Sequence, residues 1–332
     1  MRRILLTLFL LAAVVVLGAG AFGLWWLHRP LRLPAPTVDL AVEPGATPRA
    51  IAEAIAATGT RVQPDLLYLW FRFSGQDRQI RAGSYELTQG LTPHSLLTVL
   101  VRGEEATRSV VLVEGWNIRQ VRAALAKAEQ LKPETAGLSE EALMAALGRP
   151  GVHPEGRFFP DTYTYSKGST DVALLQRALR AMDGKIEAAW SQRQPGLPLR
   201  SAEEALILAS IVEKETGRSA DRAEIAAVFA NRLRLGMPLQ TDPTVIYGLG
   251  AGFDGNLRRK DLQSDHPWNT YTRAGLPPTP IAMPGRAALL AAVQPAPSRS
   301  LYFVARGDGT SEFSESLDAH NRAVNRFQRG AR

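Results

Sequence analysis

The longest uninterrupted apolar pattern in the 332-residue chain lies at its N-terminus. Residues 4–27 carry no charge. As a helix they are about 36 Å long, which is enough to cross a hydrocarbon core of about 30 Å. A cleaved signal peptide is the alternative interpretation, because Ala19, Gly20 and Ala21 resemble a cleavage site. The apolar run continues past that site to two tryptophans and Leu27, which favours an uncleaved, single-pass membrane anchor.

The charges beside this segment predict its orientation. Arg2 and Arg3 lie in the short tail, residues 1–3, and the positive-inside rule keeps such a tail in the cytoplasm. Everything after about residue 30 is then exported, which in a bacterium means a protein of the inner membrane that faces the periplasm. Residues 28–38 are rich in proline and predict a short stiff spacer beyond the membrane.

A mixed pattern of strands and helices follows the spacer. Residues 39–107 begin with the alternation of a strand, turn at Pro44 and Gly45, and continue with apolar positions at helical spacing and a second strand. This pattern predicts a small α+β module. Its polar residues do not converge in sequence, so a packing unit and a ligand-binding module are equally good interpretations.

The rest of the chain predicts a larger α+β domain. Residues 108–200 form a connecting α/β region, and residues 201–328 carry the stronger chemical signals. Within the connecting region, residues 154–165, PEGRFFPDTYTY, combine prolines, a glycine and four aromatic residues. An ordered loop packed on the core is the usual role of such a segment, and a wall that stacks on sugar rings is the alternative.

The segment ILASIVEKETG, residues 207–217, places two glutamates on a predicted helix. Ser201 is a suitable N-cap for that helix, and Glu204 three residues later completes a capping-box pattern. At about 100° per residue, Glu215 falls in the middle of the apolar stripe, whereas Glu213 falls on the polar side, where a solvated carboxylate is expected. Glu215 is therefore the candidate for chemistry.

Two roles remain open for a carboxylate on the buried side of the helix. Partial desolvation raises the pKa of a carboxyl group toward the range of a general acid, which predicts a catalytic role for Glu215. A buried structural ion pair with a nearby arginine, Arg218, Arg222 or Arg232, explains the same pattern. The spacing alone does not choose between them.

Composition removes several classes of function. Hydrophobic residues make up 45% and charged residues 21% of the chain, and 39 Lys and Arg against 32 Asp and Glu give a net charge of +7. The basic residues are dispersed and no nucleic-acid-binding module accompanies them, so nucleic acid is not an expected partner. The chain has no cysteine, which leaves no disulfide or thiolate chemistry.

Other catalytic constellations are missing from the sequence. The five histidines are isolated from one another in sequence and lack the spacing of a metal site. The sequence contains neither the Gly-x-Ser-x-Gly motif of a nucleophilic serine nor a phosphate-binding glycine loop. We therefore expect no metal and no cofactor. Carboxylate acid/base chemistry remains, and cleavage of a glycosidic bond is its typical use beside aromatic walls.

Several long motifs, in one order, resemble a known family. The motifs ASIVEKETG, VFANRLRLGMPLQTDPTVIYGLG and NTYTRAGLPPTPIAMPG, together with EGRFFPDTY and the C-terminal LYFVARGDG and HN, are similar to those of the MltG (YceG-like) endolytic murein transglycosylases. The resemblance covers nearly the whole chain. It implies a membrane-anchored lyase that cuts peptidoglycan glycan strands internally and associates with peptidoglycan synthases.

The resemblance also implies roles for individual residues. The family's catalytic glutamate precedes Thr in the Glu-Lys-Glu-Thr motif, which is Glu215 in this chain. Residues 39–107 correspond to the family's LysM-like domain. Five residues are weaker candidates for the substrate cleft, and each could instead satisfy its own backbone in a turn. They are Gln240, Thr241, Asp242, Asn269 and Tyr271.

Two other functions remain possible at this level. A lysozyme-like hydrolase on the same substrate needs a second carboxylate to activate water or act as nucleophile, and Asp242 is the best candidate. A membrane-tethered scaffold that binds glycan without cutting it needs neither group. The products of murein digestion distinguish the lyase, which leaves anhydro ends, from the hydrolase, which leaves reducing ends. Replacement of Glu215 by Gln distinguishes both enzymes from the scaffold, because only the enzymes need this acid.

Overall fold

The computed structural model describes residues 2–104 and 106–329, and it has the predicted mixed α+β architecture. Its regular elements are α1 (Arg2–His28), β1 (Thr37–Val42), α2 (Pro48–Ala57), α3 (Pro64–Phe73), β2 (Gly83–Thr88), α4 (Pro93–Arg102), β3 (Thr107–Val111), α5 (Ile118–Ala126), α6 (Glu140–Ala146), β4 (Thr162–Ser166), α7 (Asp171–Ser191), α8 (Ala202–Glu215), α9 (Ser219–Arg234), α10 (Asp242–Leu249), α11 (Arg259–Gln263), α12 (Arg286–Val293), β5 (Tyr302–Ala305), β6 (Ser311–Ser314) and α13 (Leu317–Val324). The strands form three two-stranded sheets, β1 with β2, β3 with β4, and β5 with β6.

The chain divides into two compact units. The first contains residues up to Arg108 together with Tyr165–Gly168, and the second contains Ser109–Thr164 and everything from Ser169 onward.

The N-terminal helix is long and apolar enough to cross a membrane. The candidate span, Leu6–His28, has a mean hydropathy of 2.4, and its most apolar window is fully exposed. The helix begins at Arg2, so the predicted tail and the membrane segment form one continuous element. At the other end, Trp26 packs against the core of the first unit.

The first unit is a small module built on an antiparallel strand pair. β1 pairs with β2 from Thr37 opposite Thr88 to Val42 opposite Gly83, and α2, α3 and α4 contribute the rest of its core. The packed residues begin before the predicted boundary at 39, because Leu31 is buried in this core and its amide donates to the carbonyl of Leu91 at 2.7 Å. The proline-rich segment is thus packed onto the module instead of standing free.

The core of the second unit surrounds helix α8. Helices α7, α9 and α12 pack on it, and every residue from Ala205 to Val212 is buried. The predicted cap is confirmed, since the Ser201 hydroxyl accepts from the amide of Glu204. The Glu204 carboxylate accepts from the amide of Arg200, one residue earlier than in a capping box. Over Ala205–Val212 the helix has no solvent-facing side, whereas Glu203 and Lys214 near its ends are exposed.

The aromatic segment 154–165 is an ordered, packed loop. Phe158, Phe159, Tyr163 and Tyr165 are all buried, and the Tyr163 hydroxyl donates to the carbonyl of Phe159 at 2.7 Å. None of these side chains lines the cleft beside Glu215. The packing interpretation of this segment is therefore the one that the structure supports.

Candidate active site

Glu215 is the last residue of α8 and lies at the edge of an open cleft of about 640 Å³. After it the backbone leaves the helix, with Thr216 extended at φ −148° and ψ 133°. The buried helix fixes the Glu215 backbone while the side chain reaches the cleft. The cleft is lined by Glu215, Arg232, Leu239, Gln240, Asp242, Tyr271, Tyr302, Phe303, Val304, Ala305, Leu317, His320, Asn321, Val324 and Gln328.

The carboxyl group of Glu215 is placed to hold a proton near neutral pH. Burial raises its pKa to about 7, and the nearby charge of Asp242 acts in the same direction. One hydrogen bond opposes this effect, because the Thr241 hydroxyl donates to the Glu215 carboxylate. Within residues 2–104 and 106–329, no arginine, lysine or histidine makes an ion pair with Glu215. The ion-pair alternative for this residue is thus not the one observed.

The turn before α10 holds the side chains opposite Glu215. Gln240 has φ +51°, which is uncommon for a residue other than glycine. The backbone N–H of Gln240 donates to the Thr270 carbonyl at 3.1 Å, and the backbone N–H of Thr241 donates to the Thr270 hydroxyl at 3.1 Å. These bonds keep the turn against the 269–271 segment. They leave the buried Thr241 side chain directed at Glu215.

Asp242 is the second carboxylate of the cleft. It is the first residue of α10, and its Oδ1 accepts from the Tyr271 hydroxyl at 2.6 Å. Burial, together with this bond, raises the pKa of Tyr271 above its ordinary value, so Tyr271 stays protonated as a donor. Both residues line the cleft with Glu215.

Asn269 lies behind the cleft and not in its lining. It is fully buried, and its amide nitrogen donates to the carbonyls of Ser264 at 2.7 Å and Leu262 at 3.0 Å. Its Oδ1 accepts from the amide of Tyr271 at 2.8 Å. Asn269 was expected either to line the cleft or to bond to backbone groups in a turn, and these contacts match the second role. Through them Asn269 holds the segment that carries Tyr271.

The expectation of a solvated Glu213 is wrong. Its side chain is only 7% exposed, its Oε1 lies 3.5 Å from Arg222 Nη2, and its Oε2 accepts from the amide of Gly285 at 2.8 Å. The helical spacing predicts that the Glu213 side of α8 faces solvent, but α9 and the residues before α12 cover that side. The buried ion pair considered for Glu215 belongs to Glu213.

Sequence reasoning missed two further groups in the cleft wall. Arg232 was considered only as a partner for Glu215, and its guanidinium carbon lies 5.1 Å from the centre of the Tyr302 ring. The His320 ring stacks on the same tyrosine at 5.2 Å. The C-terminal motifs that contain Tyr302 and His320 were available as a signal, but their distance in sequence from Glu215 gave no reason to place them beside it.

Another acid with a pKa of about 7 lies outside the cleft. Glu155 is fully buried, and burial raises its pKa to about 7. Its carboxyl oxygens accept from the amide of Ile118 at 3.1 and 3.2 Å, at the N-terminus of α5, and it also bonds to Tyr247. Since it does not line the cleft that holds Glu215, access to the cleft and not the pKa alone distinguishes the two acids.

Among the described residues, no group of three or more histidine, aspartate or glutamate side chains is close enough together to hold a metal ion. The polar groups of the cleft are instead one acid of near-neutral pKa, a second carboxylate held by a tyrosine, and a buried guanidinium. A protonatable carboxylic acid at the edge of an open cleft can donate a proton to a substrate and later remove one. The arrangement is thus chemically suited to acid/base reactions of a carboxyl group.

The chain belongs to the YceG-like family, whose sequence model matches residues 40–326. This confirms the family predicted from the motifs. The endolytic murein transglycosylase of Bacillus subtilis is 30% identical, over 95% of this chain and 91% of that protein. The endolytic murein transglycosylase of Streptococcus pneumoniae is 26% identical, over 86% of this chain and 58% of that longer protein.

A solved structure shares the fold. The crystal structure of a yceG-like protein from Listeria monocytogenes superimposes with a TM-score of 0.54 at 26% identity, covering 86% of this chain and 98% of that one. Sequence and structure thus place the chain in the same family.

Proposed function

We propose that this chain is an endolytic peptidoglycan lytic transglycosylase. It cuts the bond between N-acetylmuramic acid and N-acetylglucosamine within a glycan strand, leaves a 1,6-anhydromuramyl end, and so limits strand length during wall synthesis. The observation that carries the proposal is Glu215, a carboxylic acid with a pKa of about 7 in an open cleft. The names of the Bacillus subtilis and Streptococcus pneumoniae relatives support the same activity.

The reaction needs one group that acts first as an acid and then as a base. Protonated Glu215 donates its proton to the bridging oxygen, and the bond from that oxygen to the muramyl C1 breaks. The resulting carboxylate then takes the proton of the muramyl C6 hydroxyl, whose oxygen bonds to C1. No water is consumed, and the proton count on Glu215 is restored. A pKa near the working pH suits both half-reactions.

Product analysis tests this proposal. The full chain in lipid nanodiscs is incubated with purified murein, and the fragments are identified by mass spectrometry. New chain ends that are 1,6-anhydromuramyl, at internal positions of the strands, are the expected result. If all new ends are reducing, the lyase proposal is contradicted.

A lysozyme-like hydrolase is the second candidate, and Asp242 is the observation that favours it. This carboxylate lies in the same cleft as Glu215 and is held by Tyr271. A hydrolase would use it to activate water or to attack C1. Replacement of Asp242 by Asn would then abolish cleavage, whereas in a lyase Asp242→Asn leaves the acid in place and cleavage continues with anhydro products.

We also propose that the first unit is a LysM-like module that binds glycan. It has its own cleft of about 590 Å³, between the β1–α2 loop and the segment before β2. Tyr68 lines this cleft, with the Arg49 guanidinium 4.8 Å from the ring centre. Aromatic faces stack on sugar rings. Tyr68→Ala is expected to weaken binding of chitin oligosaccharides to the full chain, whereas Phe73→Ala, at an exposed position outside the cleft, is the matched control.

The N-terminal helix supports a single-pass anchor in the inner membrane, with the N-terminus in the cytoplasm and everything after about residue 30 in the periplasm. A protease added to spheroplasts should digest residues after about 30 and spare a short N-terminal tag. A tag that is digested while the rest is protected would contradict this orientation. Association with peptidoglycan synthases is proposed from the family resemblance, and cross-linking in membranes followed by mass spectrometry tests it.

A further inference from the structure

Helix α9 carries two buried arginines, and their partners differ. Arg222 lies 3.5 Å from the carboxylate of Glu213. Arg232 is only 7% exposed, yet no carboxylate oxygen lies within 4 Å of its guanidinium in residues 2–104 and 106–329. A buried charge without a counter-charge is unfavourable. A reason for keeping an arginine at this position is therefore needed.

The neutral contacts of Arg232 occupy only part of its guanidinium. Nε donates to the carbonyl of Leu301 at 2.7 Å. Nη1 donates to the carbonyls of Pro238 at 3.1 Å and Leu239 at 3.0 Å, and to Gln240 Oε1 at 3.3 Å. Nη2 donates to no atom of the described chain, and Arg232 is one of the residues that line the cleft of Glu215. Nε and Nη1 are thus held by acceptors of the fold, and Nη2 is left for a ligand.

The charge of Arg232 does not serve to set the protonation of Glu215. The pKa of Glu215 responds to burial, to Thr241 and to Asp242. Burial lowers the pKa of His320, and the charge of Arg232 acts in the same direction. The guanidinium carbon lies 5.1 Å from the centre of the Tyr302 ring, on which the His320 ring stacks, so its immediate neighbours in the cleft are aromatic rings.

We propose that Nη2 of Arg232 is a carboxylate-binding subsite in the cleft that holds Glu215. The inference rests on the proposed function, because it concerns the substrate of the same cleft. An arginine held through Nε and Nη1 keeps its Nη2 N–H groups in a fixed direction, from which they can donate a charge-assisted hydrogen bond to a carboxylate oxygen. Near the muramyl bond this carboxylate has two sources: the lactyl group of a muramic acid without peptide, or the acidic residues of a stem peptide.

Binding of small acids tests the subsite independently of cleavage. The full chain in nanodiscs of uncharged lipid is titrated calorimetrically at pH 6 with N-acetylmuramic acid and with its methyl ester, which represent the lactyl source. N-acetylmuramyl-L-alanyl-D-glutamate and its diamide represent the peptide source. None of these probes contains the bond that the enzyme is proposed to cut. The acid is expected to bind about tenfold more tightly than its neutral form in one of the pairs, and that pair identifies the source.

Two results would overturn the subsite. One is equal affinity for acid and neutral form in both pairs, measured in the unmodified chain, where no folding defect can interfere. The other is an acid preference that persists in Arg232→Gln with a native circular dichroism spectrum. Raised salt should reduce the acid preference, because the contact is between charges. Murein digestion is scored separately, so equal affinity for acid and neutral form in an unmodified chain that still produces anhydro ends rejects the subsite and leaves the proposed function standing.

Discussion

The last turn of α8 holds two glutamates two residues apart, and their surroundings give the same group different roles. Glu213 is enclosed by the Arg222 guanidinium and the Gly285 amide. Glu215 has one neutral donor, the Thr241 hydroxyl, and otherwise faces the cleft. Burial raises the pKa of both carboxyl groups. The comparison teaches that fixed charged partners make a buried carboxylate structural, whereas access to a cleft makes it available for proton transfer.

The largest expected effect separates the two glutamates by activity. Glu215→Gln removes the exchangeable proton but keeps the size of the side chain, so cleavage of murein should fall by about a hundredfold to ten-thousandfold. Glu213→Gln is the matched control in the same turn and should retain cleavage within about tenfold, because Glu213 does not line the cleft. Rates of release of soluble fragments measure both. Equal losses in the two variants would remove the distinction drawn between them.

The next prediction concerns the buried ion pair between Glu213 and Arg222 and its effect on the free energy of unfolding. Arg222→Met leaves the buried Glu213 carboxylate without its counter-ion, which should lower the free energy of unfolding by about 3 kcal/mol or more. The double variant Glu213→Gln with Arg222→Met should recover much of that loss, since no buried charge is left unpaired. Denaturant unfolding followed by tryptophan fluorescence measures the three variants. If the double variant is no more stable than Arg222→Met, the unpaired Glu213 charge is not the cause of the lost stability.

These two residues also mark how far the sequence could predict the site. Spacing placed Glu215 on the buried side of its helix, and the motifs predicted the family that the sequence model confirms. The same spacing misplaced Glu213, because periodicity reports one covered face and the middle of α8 is covered on all sides. Thr241 and Asp242 were expected as cleft residues, and their effect on the acid was not predicted. The lack of a carboxylate partner for Arg232 among the described residues could not be predicted either, because it depends on which distant groups, such as the Leu301 carbonyl, meet Arg232 in the fold.

Stability should depend on pH through Glu215 in a defined direction. Its pKa is raised from 4.5 to about 7 in the folded protein, so the folded state binds this proton more tightly than the unfolded state. The unfolding free energy contributed by this group is therefore fully present below pH 4.5 and is lost as the pH rises through 7. Glu215→Gln should gain up to about 3 kcal/mol relative to wild type between pH 5 and pH 9. The pKa of Glu155 is also raised, but Glu155 is present in both the wild type and Glu215→Gln, so its contribution cancels when their unfolding free energies are subtracted.

The smallest effect concerns the hydrogen bond from the Thr241 hydroxyl to Glu215. The Thr241 hydroxyl bonds to the carboxylate form and so lowers the pKa of Glu215 against the effect of burial. Thr241→Val keeps the volume and removes the donor, so the pH at which cleavage declines on the alkaline side should move upward by about one unit. Thr244→Val is the control, because Thr244 is equally buried but bonds to Thr270 and to the Thr241 carbonyl. An alkaline limb that stays in place in Thr241→Val, or that moves equally in both variants, would mean that this hydrogen bond does not set the proton affinity of the acid.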